Sequence, residues 1–412
     1  MFWLVVGYLF LFIFRPFEYW PVLGVIHLER IYMIFLLVAV LNWPKKRYTQ
    51  HPINMFVILF LFTMILSTAF SLNVSDSFTV TFNYFKFIVF YFIILMTIQD
   101  EDQLRNFLLA YVFIMFLYVG KSAWEFFIHD RFVYRMGIKR MCGIDSTYSD
   151  PNAFAASIIY SLPFLWAMIK TKYENQWIKW GLWGYGVLAL TAIIYTGSRG
   201  GMVSFLLLLI MVWLKTSRKA ASIILIFFML FFVWSIMPQK YQLRFETIFV
   251  KNINKSADAS AEGRRYTLER GFDMFKKRPL FGVGPGNFSR GLELFGDYSG
   301  LSSHNLYGLL IGELGLMGVL AFILLIYKIT ATHLGIIFQT RSSDADKNNF
   351  YNIVSVASVQ TIILLLFNGN FGGNLLRYNW LWVGAIGVLL VHFMSEIEES
   401  EGEPIGFMEI DY

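Results

Sequence analysis

Charged residues and cysteine are both scarce in this chain of 412 residues. Asp, Glu, Lys and Arg make up 15% of it, against about 25% in an ordinary soluble domain. So little charge cannot cover the surface of a water-soluble protein, which excludes a soluble enzyme. Cysteine occurs once, at Cys142, which excludes an intramolecular disulfide and a metal site built from several cysteines. We expect Cys142 to be unpaired.

Hydrophobic residues account for 57% of the chain and are gathered in long apolar runs. A helical membrane span needs roughly 17–25 such residues, so the sequence predicts an all-α integral membrane protein with about twelve transmembrane helices. The predicted spans are Met1–Phe14, Arg30–Asn42, Ile53–Phe70, Phe78–Ile98, Leu104–Phe127, Pro151–Ile169, Trp177–Thr196, Gly200–Leu214, Ala220–Met237, His304–Tyr327, Asn349–Phe367 and Leu376–Met394.

Basic residues between these spans predict the orientation. The loops after even-numbered spans carry the lysine clusters, and such clusters mark the cytoplasmic side. Residues 1–237 then form nine spans, 238–303 a large, partly helical periplasmic loop, and 304–394 three more spans. Residues 395–412 form an acidic cytoplasmic tail. The net charge is +6, but the basic residues lie in short clusters between apolar runs, so nucleic acid is a poor candidate partner.

Arginine, in contrast to lysine, marks the predicted outer side. The outer short loops and their edges contain one lysine, Lys139, and the arginines Arg15, Arg30, Arg131, Arg135, Arg140, Arg199 and Arg377. A guanidinium group binds phosphate through two parallel hydrogen bonds, which an ammonium group cannot do. The pattern indicates a phosphate-bearing ligand, with Arg199 and Arg377 as candidate contacts. The alternative is that some of these arginines only reach lipid headgroups.

A short amphipathic helix is predicted within the large loop. Leu268, Phe272 and Phe275 recur there at helical spacing, just before a proline. Arg264 stands four residues before Leu268 and extends the same stripe, so we expect its side chain to point into the protein. Arg265 shares a face with a glutamate and should point to water.

An inward-pointing Arg264 needs an anionic partner, because an unpaired buried charge would cost several kcal/mol. A ligand phosphate is one candidate for that partner. An ion pair with Glu293, Asp297 or another acidic residue of the loop is the other. The glycine-rich segment 282–288 follows, but it lacks the preceding strand and following helix of a dinucleotide or P-loop site.

His304 is the candidate catalytic residue. It follows Ser302 and Ser303, which favour helix caps, and begins the apolar run Leu306–Tyr327. We expect it at an outward-facing helix N-terminus, where the helix dipole disfavours the protonated imidazolium. A neutral imidazole suits a general base that acts on a sugar hydroxyl. Capping or an interfacial position is the alternative role of a single histidine at a helix end.

Five further charged residues are assigned from local sequence. Asp150 precedes a proline and is interpreted as a helix cap. Lys86, Lys121, Glu125 and Glu313 fall within predicted spans, where a charge is by default a functional candidate. Lys121 and Glu125 are four residues apart and have a simpler explanation, a mutual ion pair along one helix.

Four segments of the predicted outer face resemble bacterial O-antigen ligases and polysaccharide polymerases. They are Thr196-Gly197-Ser198-Arg199-Gly200-Gly201, Arg264 with Leu268 four residues later, Gly282-Val283-Gly284-Pro285-Gly286-Asn287-Phe288, and His304-Asn305 with Gly315 and Gly318. The resemblance extends over Asp150–Leu325, and it is the order of the motifs, more than any one of them, that makes it specific.

The resemblance implies an inverting, metal-independent glycosyltransferase without a cofactor, in the bacterial inner membrane and with its active site facing the periplasm. The donor would be a glycan on undecaprenyl diphosphate. Arg199 and Arg264 would hold the diphosphate, and His304 would activate the acceptor hydroxyl. A ligase would transfer the glycan to lipid A core, a polymerase to another lipid-linked glycan, and a related branch of the family to proteins. From another class, a twelve-span transporter or lipid-glycan flippase is the alternative.

Overall fold

The computed structural model describes residues 1–135, 137–171, 173–248, 255–342 and 349–401. These residues are mostly helical, and the chain spans a membrane. The helices are α1 (Phe2–Phe14), α2 (Pro21–Val25), α3 (Leu28–Leu41), α4 (Pro52–Ala69), α5 (Val74–Thr97), α6 (Glu101–Phe127), α7 (Pro151–Lys170), α8 (Gln176–Thr196), α9 (Arg199–Lys215), α10 (Lys219–Ile236), α11 (Gln239–Glu246), α12 (Lys255–Lys277), α13 (Phe288–Glu293), α14 (Leu306–Ser342), α15 (Asn349–Asn368) and α16 (Asn379–Glu401).

Nine helices among the described residues are long and apolar enough to cross a membrane. The other three predicted spans form the shorter helices α1, α3 and α9, of 13, 14 and 17 residues. A helix of 14 residues is about 21 Å long, well short of the roughly 30 Å of a hydrocarbon core. The membrane-protein fold is therefore confirmed, whereas the number of twelve spans is not.

The helices differ in how much of their surface lies inside the protein. Within the membrane-spanning windows of α7 and α16, 72% of the residues are buried, against 6% for α10. Helices α7 and α16 therefore form the centre of the bundle, and α10 lies at its periphery with its large apolar side chains facing outward. An antiparallel hairpin of β1 (Val133–Arg135) and β2 (Ile138–Arg140) lies between α6 and α7.

Contacts between distant segments define the two ends of the bundle. Arg47, just before α4, pairs with Glu396 near the end of α16, with 2.8 Å between the charged atoms. Asn379 begins α16 seventeen residues earlier, about 26 Å away along a helix. At the other end of α4, the Arg278 guanidinium donates to the Phe70 carbonyl oxygen over 2.7 Å. Arg278, and with it the described part of segment 238–303 around it, thus lies at the end opposite to the C-terminal part of α16.

Two predicted segments outside the spans, the large loop 238–303 and the acidic tail 395–412, are described by the structure to different extents. The first contains α11, α12 and α13, so the expected helical content of the large loop is present. In the predicted acidic tail, residues 395–401 continue α16. Residues 402–412 lie outside the described residues.

Helix α14 is broken at Gly315, where φ is 62° and ψ is −162°. Glycine alone adopts this conformation readily. Next to the break, the Leu316 N–H donates to the Pro279 carbonyl over 2.8 Å, and the Val283 N–H donates to a carbonyl of α14 over 2.9 Å. The segment before α13 therefore supplies hydrogen bonds that the broken helix lacks, as backbone at membrane depth requires.

Candidate functional site

A cavity of about 880 Å³ opens at the end of the bundle that carries segment 238–303. Arg199, Arg264, Arg377 and His304 all line it, although 178 positions separate the first from the last in the sequence. The structure thus brings the four candidate site residues together around one space. The cavity wall contains six arginines, which are Arg135, Arg140, Arg199, Arg244, Arg264 and Arg377. Its described lining includes two acidic residues, Asp150 and Glu313.

The junction of α8 and α9 positions two of these arginines. Arg140 Nε donates to the Thr196 carbonyl over 2.6 Å, and Arg244 Nε donates to the Gly197 carbonyl over 2.5 Å. Both carbonyls lie at the C-terminus of α8, where the helix dipole favours cations. Gly197 has a φ of 54°, and a Cβ there would lie 3.2 Å from the Arg244 side chain. Glycine therefore allows both the turn and the close approach of the guanidinium group.

Burial and like charges disfavour the charged form of the arginines at this end of the cavity. Burial, together with the charges of Arg140 and Arg199, lowers the pKa of Arg244 to about 9. Burial likewise lowers the pKa of Arg140 to about 10. For Arg264, burial and the Arg199 charge lower the pKa. A lowered pKa in a cation means that its charge is disfavoured, so an anion bound here would relieve the penalty.

Helix geometry adds to the positive potential. Residues in the first turn of α7 and α9, and at or just before the start of α14 and α16, line the cavity. Each helix N-terminus carries roughly half a positive charge and has backbone N–H groups without helical partners. Together with the arginines, these helix ends give the cavity wall a positive potential, which is the electrostatic environment that an anion favours.

Arg264 points into the protein, as its sequence position predicts. Its guanidinium lies 5.6 Å from the centre of the Phe371 ring on the cavity wall. The neighbouring Arg265 is exposed and pairs with Glu269 over 2.9 Å, which also agrees with the prediction.

The predicted apolar stripe of α12 is wrong by one position. Among residues 262–277 of this helix, whose burial the structure describes, Thr267, Gly271 and Met274 are buried, whereas Phe272 is 47% exposed. Gly271 packs against the backbone of α14, where a Cβ would lie 2.6 Å from the Gly308 carbonyl oxygen. Close contact between the two helix backbones, more than side-chain hydrophobicity, therefore selects the inner face.

His304 lies two residues before α14 and does not begin the helix, which corrects the predicted start. The Asn305 side-chain oxygen accepts the N–H groups of Tyr307 and Gly308, at 2.9 and 3.0 Å, and so caps the helix. The hydroxyl group of Ser303 instead bonds the Asn305 backbone. His304 itself is exposed at the cavity wall. Because Asn305 caps the helix, the imidazole group is not needed for capping.

Arg377 and Asp150 both line the cavity. The Arg377 guanidinium lies 4.9 Å from the centre of the Tyr148 ring. Asp150 caps α7, as predicted, by accepting the N–H groups of Asn152 and Ala153. Its carboxylate also lies 3.8 Å from Arg135, so the cap is part of the cavity wall as well.

Three of the four charges predicted within spans have hydrogen-bonded partners, and the fourth, Lys86, lies with its Nζ 5.7 Å from the centre of the Phe82 ring. Lys121 and Glu125 pair over 2.5 Å, as their spacing predicts. Glu313 lines the cavity, and its carboxylate accepts the N–H groups of Gly286 and Phe288 at 3.0 and 3.1 Å. It thereby fixes the glycine-rich segment against α14.

Arg140 and Arg244 are two cavity arginines that the sequence did not assign to the candidate site. Arg140 belongs to the set of outer arginines, but nothing in the sequence separates it from its neighbours. Arg244 has a usable signal, because it lies between Tyr241 and Phe245 on one face of a short helix. Only the fold, which places both side chains on the C-terminal carbonyls of α8, makes them part of the site.

Comparison with known proteins assigns a family to this region. A family model described as O-antigen ligase matches residues 184–323, which extend from α8 into α14. The matched range contains Arg199, Arg244, Arg264 and His304. A search of curated proteins found no match. The resemblance that the sequence motifs indicate is thereby confirmed, and residues 184–323 of this chain are similar to O-antigen ligases.

Proposed function

We propose that this protein transfers a glycan from undecaprenyl diphosphate to an acceptor hydroxyl by an inverting, metal-independent reaction, as an O-antigen ligase. The reaction would take place at the periplasmic face of the bacterial inner membrane. The observation that carries the proposal is the convergence of Arg199, Arg264, Arg377 and His304 on one arginine-rich cavity, in a membrane protein whose residues 184–323 match the O-antigen ligase model.

Each residue has a defined part in the proposed reaction. Arg199 and Arg264 bind the diphosphate, and Arg377 contributes a further positive charge at the wall. The acceptor oxygen attacks the anomeric carbon, the bond from that carbon to the phosphate oxygen breaks, and His304 takes the hydroxyl proton. The leaving group, undecaprenyl diphosphate, keeps the electron pair of the broken bond. The arginines stabilise the negative charge that develops on it.

The acceptor decides between two reactions of the same family. Purified protein would be incubated with undecaprenyl-diphosphate glycan, either with lipid A core or with donor alone, and the products separated by gel electrophoresis. A single shift of lipid A core supports the ligase. A ladder formed from donor alone supports the polymerase, which is the alternative. If neither product forms with active donor and correctly folded protein, the proposed transfer is wrong.

Metal independence is tested in the same assay. Because arginines supply the positive charge at the proposed diphosphate site, transfer should continue at an unchanged rate after treatment with a strong chelator and removal of free metal. A magnesium-dependent glycosyltransferase assayed in parallel serves as the control for complete chelation. A loss of transfer that added Mg²⁺ or Mn²⁺ restores would contradict this part of the proposal.

A further inference from the structure

A polar loop forms a wall of the cavity next to the arginines. Residues 146–150, with the sequence Ser-Thr-Tyr-Ser-Asp, line the cavity one after another just before α7. Ser146, Thr147 and Ser149 are exposed, and the Ser149 hydroxyl, which donates to the Ser146 carbonyl over 3.1 Å, can still accept a hydrogen bond. A hydroxyl group both donates and accepts hydrogen bonds, which matches the hydroxyl groups of a sugar ring. This wall therefore differs in chemistry from the arginine-rich one.

The loop is held from the protein interior. Asp145 is buried, and its carboxylate accepts the Tyr118 hydroxyl over 2.6 Å and the Tyr148 N–H over 2.8 Å. The Gly143 N–H donates to the Tyr148 carbonyl over 2.8 Å, and the Tyr148 ring packs against Arg377. Such a prearranged surface loses little conformational entropy when it binds a ligand.

The turn after α1 holds the same loop from the other side. The Glu18 carboxylate accepts the Ser146 N–H over 2.6 Å and its hydroxyl over 3.2 Å. Arg15 Nη1 donates to the Thr147 hydroxyl over 2.7 Å, and Arg15 pairs with Glu18. Arg15 has a φ of 52°, which is uncommon outside glycine. Three polar contacts thus join a strained turn to a loop more than 120 positions away.

We propose that the loop of residues 145–150 binds a neutral, hydroxyl-rich sugar ring, and that Arg15 and Glu18 are positioning residues for this loop. The inference rests on the proposed function, which places the donor diphosphate against the neighbouring arginines. Arg140 joins the two walls, because its Nη2 donates to Asn152, two residues after the loop, over 2.8 Å. A sugar attached to a diphosphate at the arginines, or the acceptor sugar that meets it, would reach this loop.

Binding measurements with two lipids isolate the sugar contact. The probes are undecaprenyl diphosphate with its glycan and undecaprenyl diphosphate without one. Ser149→Ala and Glu18→Gln should each weaken binding of the glycan-bearing lipid about two- to tenfold, as expected for loss of one hydrogen bond, and leave the bare lipid unchanged. Ser222→Ala and Glu269→Gln, which lie away from the cavity, are the matched controls. Thermal melting in detergent checks the fold of each variant.

Steady-state transfer distinguishes donor sugar from acceptor sugar. If the loop binds the acceptor, Ser149→Ala raises KM for the acceptor with kcat unchanged, and the ratio of the two lipid affinities stays constant. Either result supports a sugar-binding wall. The proposal is overturned if Ser149→Ala changes neither the ratio of the two lipid affinities nor the KM for the acceptor. It is also overturned if the protein's affinity for both lipids falls equally. Arg264→Lys should weaken binding of both lipids. If it weakens binding of neither, while Ser149→Ala alters the ratio of the two lipid affinities, the diphosphate assignment is wrong and the sugar-binding assignment of the loop is retained.

Discussion

At the scale of single residues, substitution of His304 distinguishes an effect on the chemical step from an effect on donor binding. It is exposed at the cavity wall, and Asn305 already caps the following helix, so its removal should leave the structure intact. We expect His304→Ala to lower turnover by roughly 10²- to 10⁴-fold, the usual contribution of a general base, with nearly unchanged donor affinity. Single-turnover transfer and equilibrium binding of the donor measure the two effects.

A second histidine provides the control for this substitution. His129 is exposed near the hairpin and accepts a hydrogen bond from the Trp124 indole, but it does not belong to the cavity lining. His129→Ala should therefore transfer glycan at the normal rate. Near-normal transfer by His304→Ala would contradict its role as the base, and Asp150 on the same wall would then be the next candidate.

Arg264 and Arg265 are adjacent residues with opposite orientations, which makes them a matched pair. Arg264→Lys keeps the charge and loses the two-pronged hydrogen bonding. We expect donor affinity to fall about ten- to hundredfold, corresponding to a charge-assisted contact of about 1.5–3 kcal/mol. Arg265→Lys on the exposed face should have no effect. Normal donor binding by Arg264→Lys would favour the headgroup-anchoring explanation of the outer arginines.

At the scale of elements, the break in α14 joins the large loop to the membrane bundle. A Cβ at position 315 would lie 2.7 Å from the Leu280 backbone, and the local conformation is strained for any other residue. Gly315→Ala should therefore destabilise the protein by about 2–4 kcal/mol and lower its melting temperature in detergent by several degrees.

Gly335 lies in the same helix and is the control for the break. A Cβ there would meet no atom within 4 Å, and alanine favours the helical conformation. Gly335→Ala should leave the melting temperature unchanged or raise it slightly. Equal melting temperatures for Gly315→Ala and the unmodified protein would show that the break is not required for stability.

At the scale of the whole molecule, the proposed mechanism depends on which side of the membrane the cavity faces. Cys142 is unpaired, but its side chain is buried, so it is a poor reporter of topology. With Cys142→Ser as background, Ser299→Cys and Ser217→Cys place single cysteines at exposed positions in the large loop and in the α9–α10 loop. An impermeant maleimide should label the first in intact spheroplasts and the second only after permeabilisation. The reverse pattern would overturn the periplasmic orientation.

Local sequence determined the helices and several side-chain orientations. Backbone groups in a membrane must form their hydrogen bonds within the protein, and a long apolar run does so as a helix. The nine spanning helices lie where these runs predict them. The cap at Asp150, the pair of Lys121 with Glu125 and the outward direction of Arg265 also follow from neighbours within four positions. Each of these features depends on interactions within one turn of helix, which the sequence order fixes.

Only the tertiary structure decided the features that depend on backbone contact between distant segments. Because Gly271 packs against Gly308, the inner face of α12 is one position away from the predicted one. The segment from Pro279 to Val283 supplies the hydrogen bonds that allow α14 to break at Gly315. The junction at Gly197 brought Arg244 into the cavity wall. These contacts are made by glycines and by backbone carbonyl groups. A glycine in a close contact has the same letter in the sequence as a glycine in an open loop, and every residue has a carbonyl group. The pattern of hydrophobicity and charge therefore does not reveal such contacts.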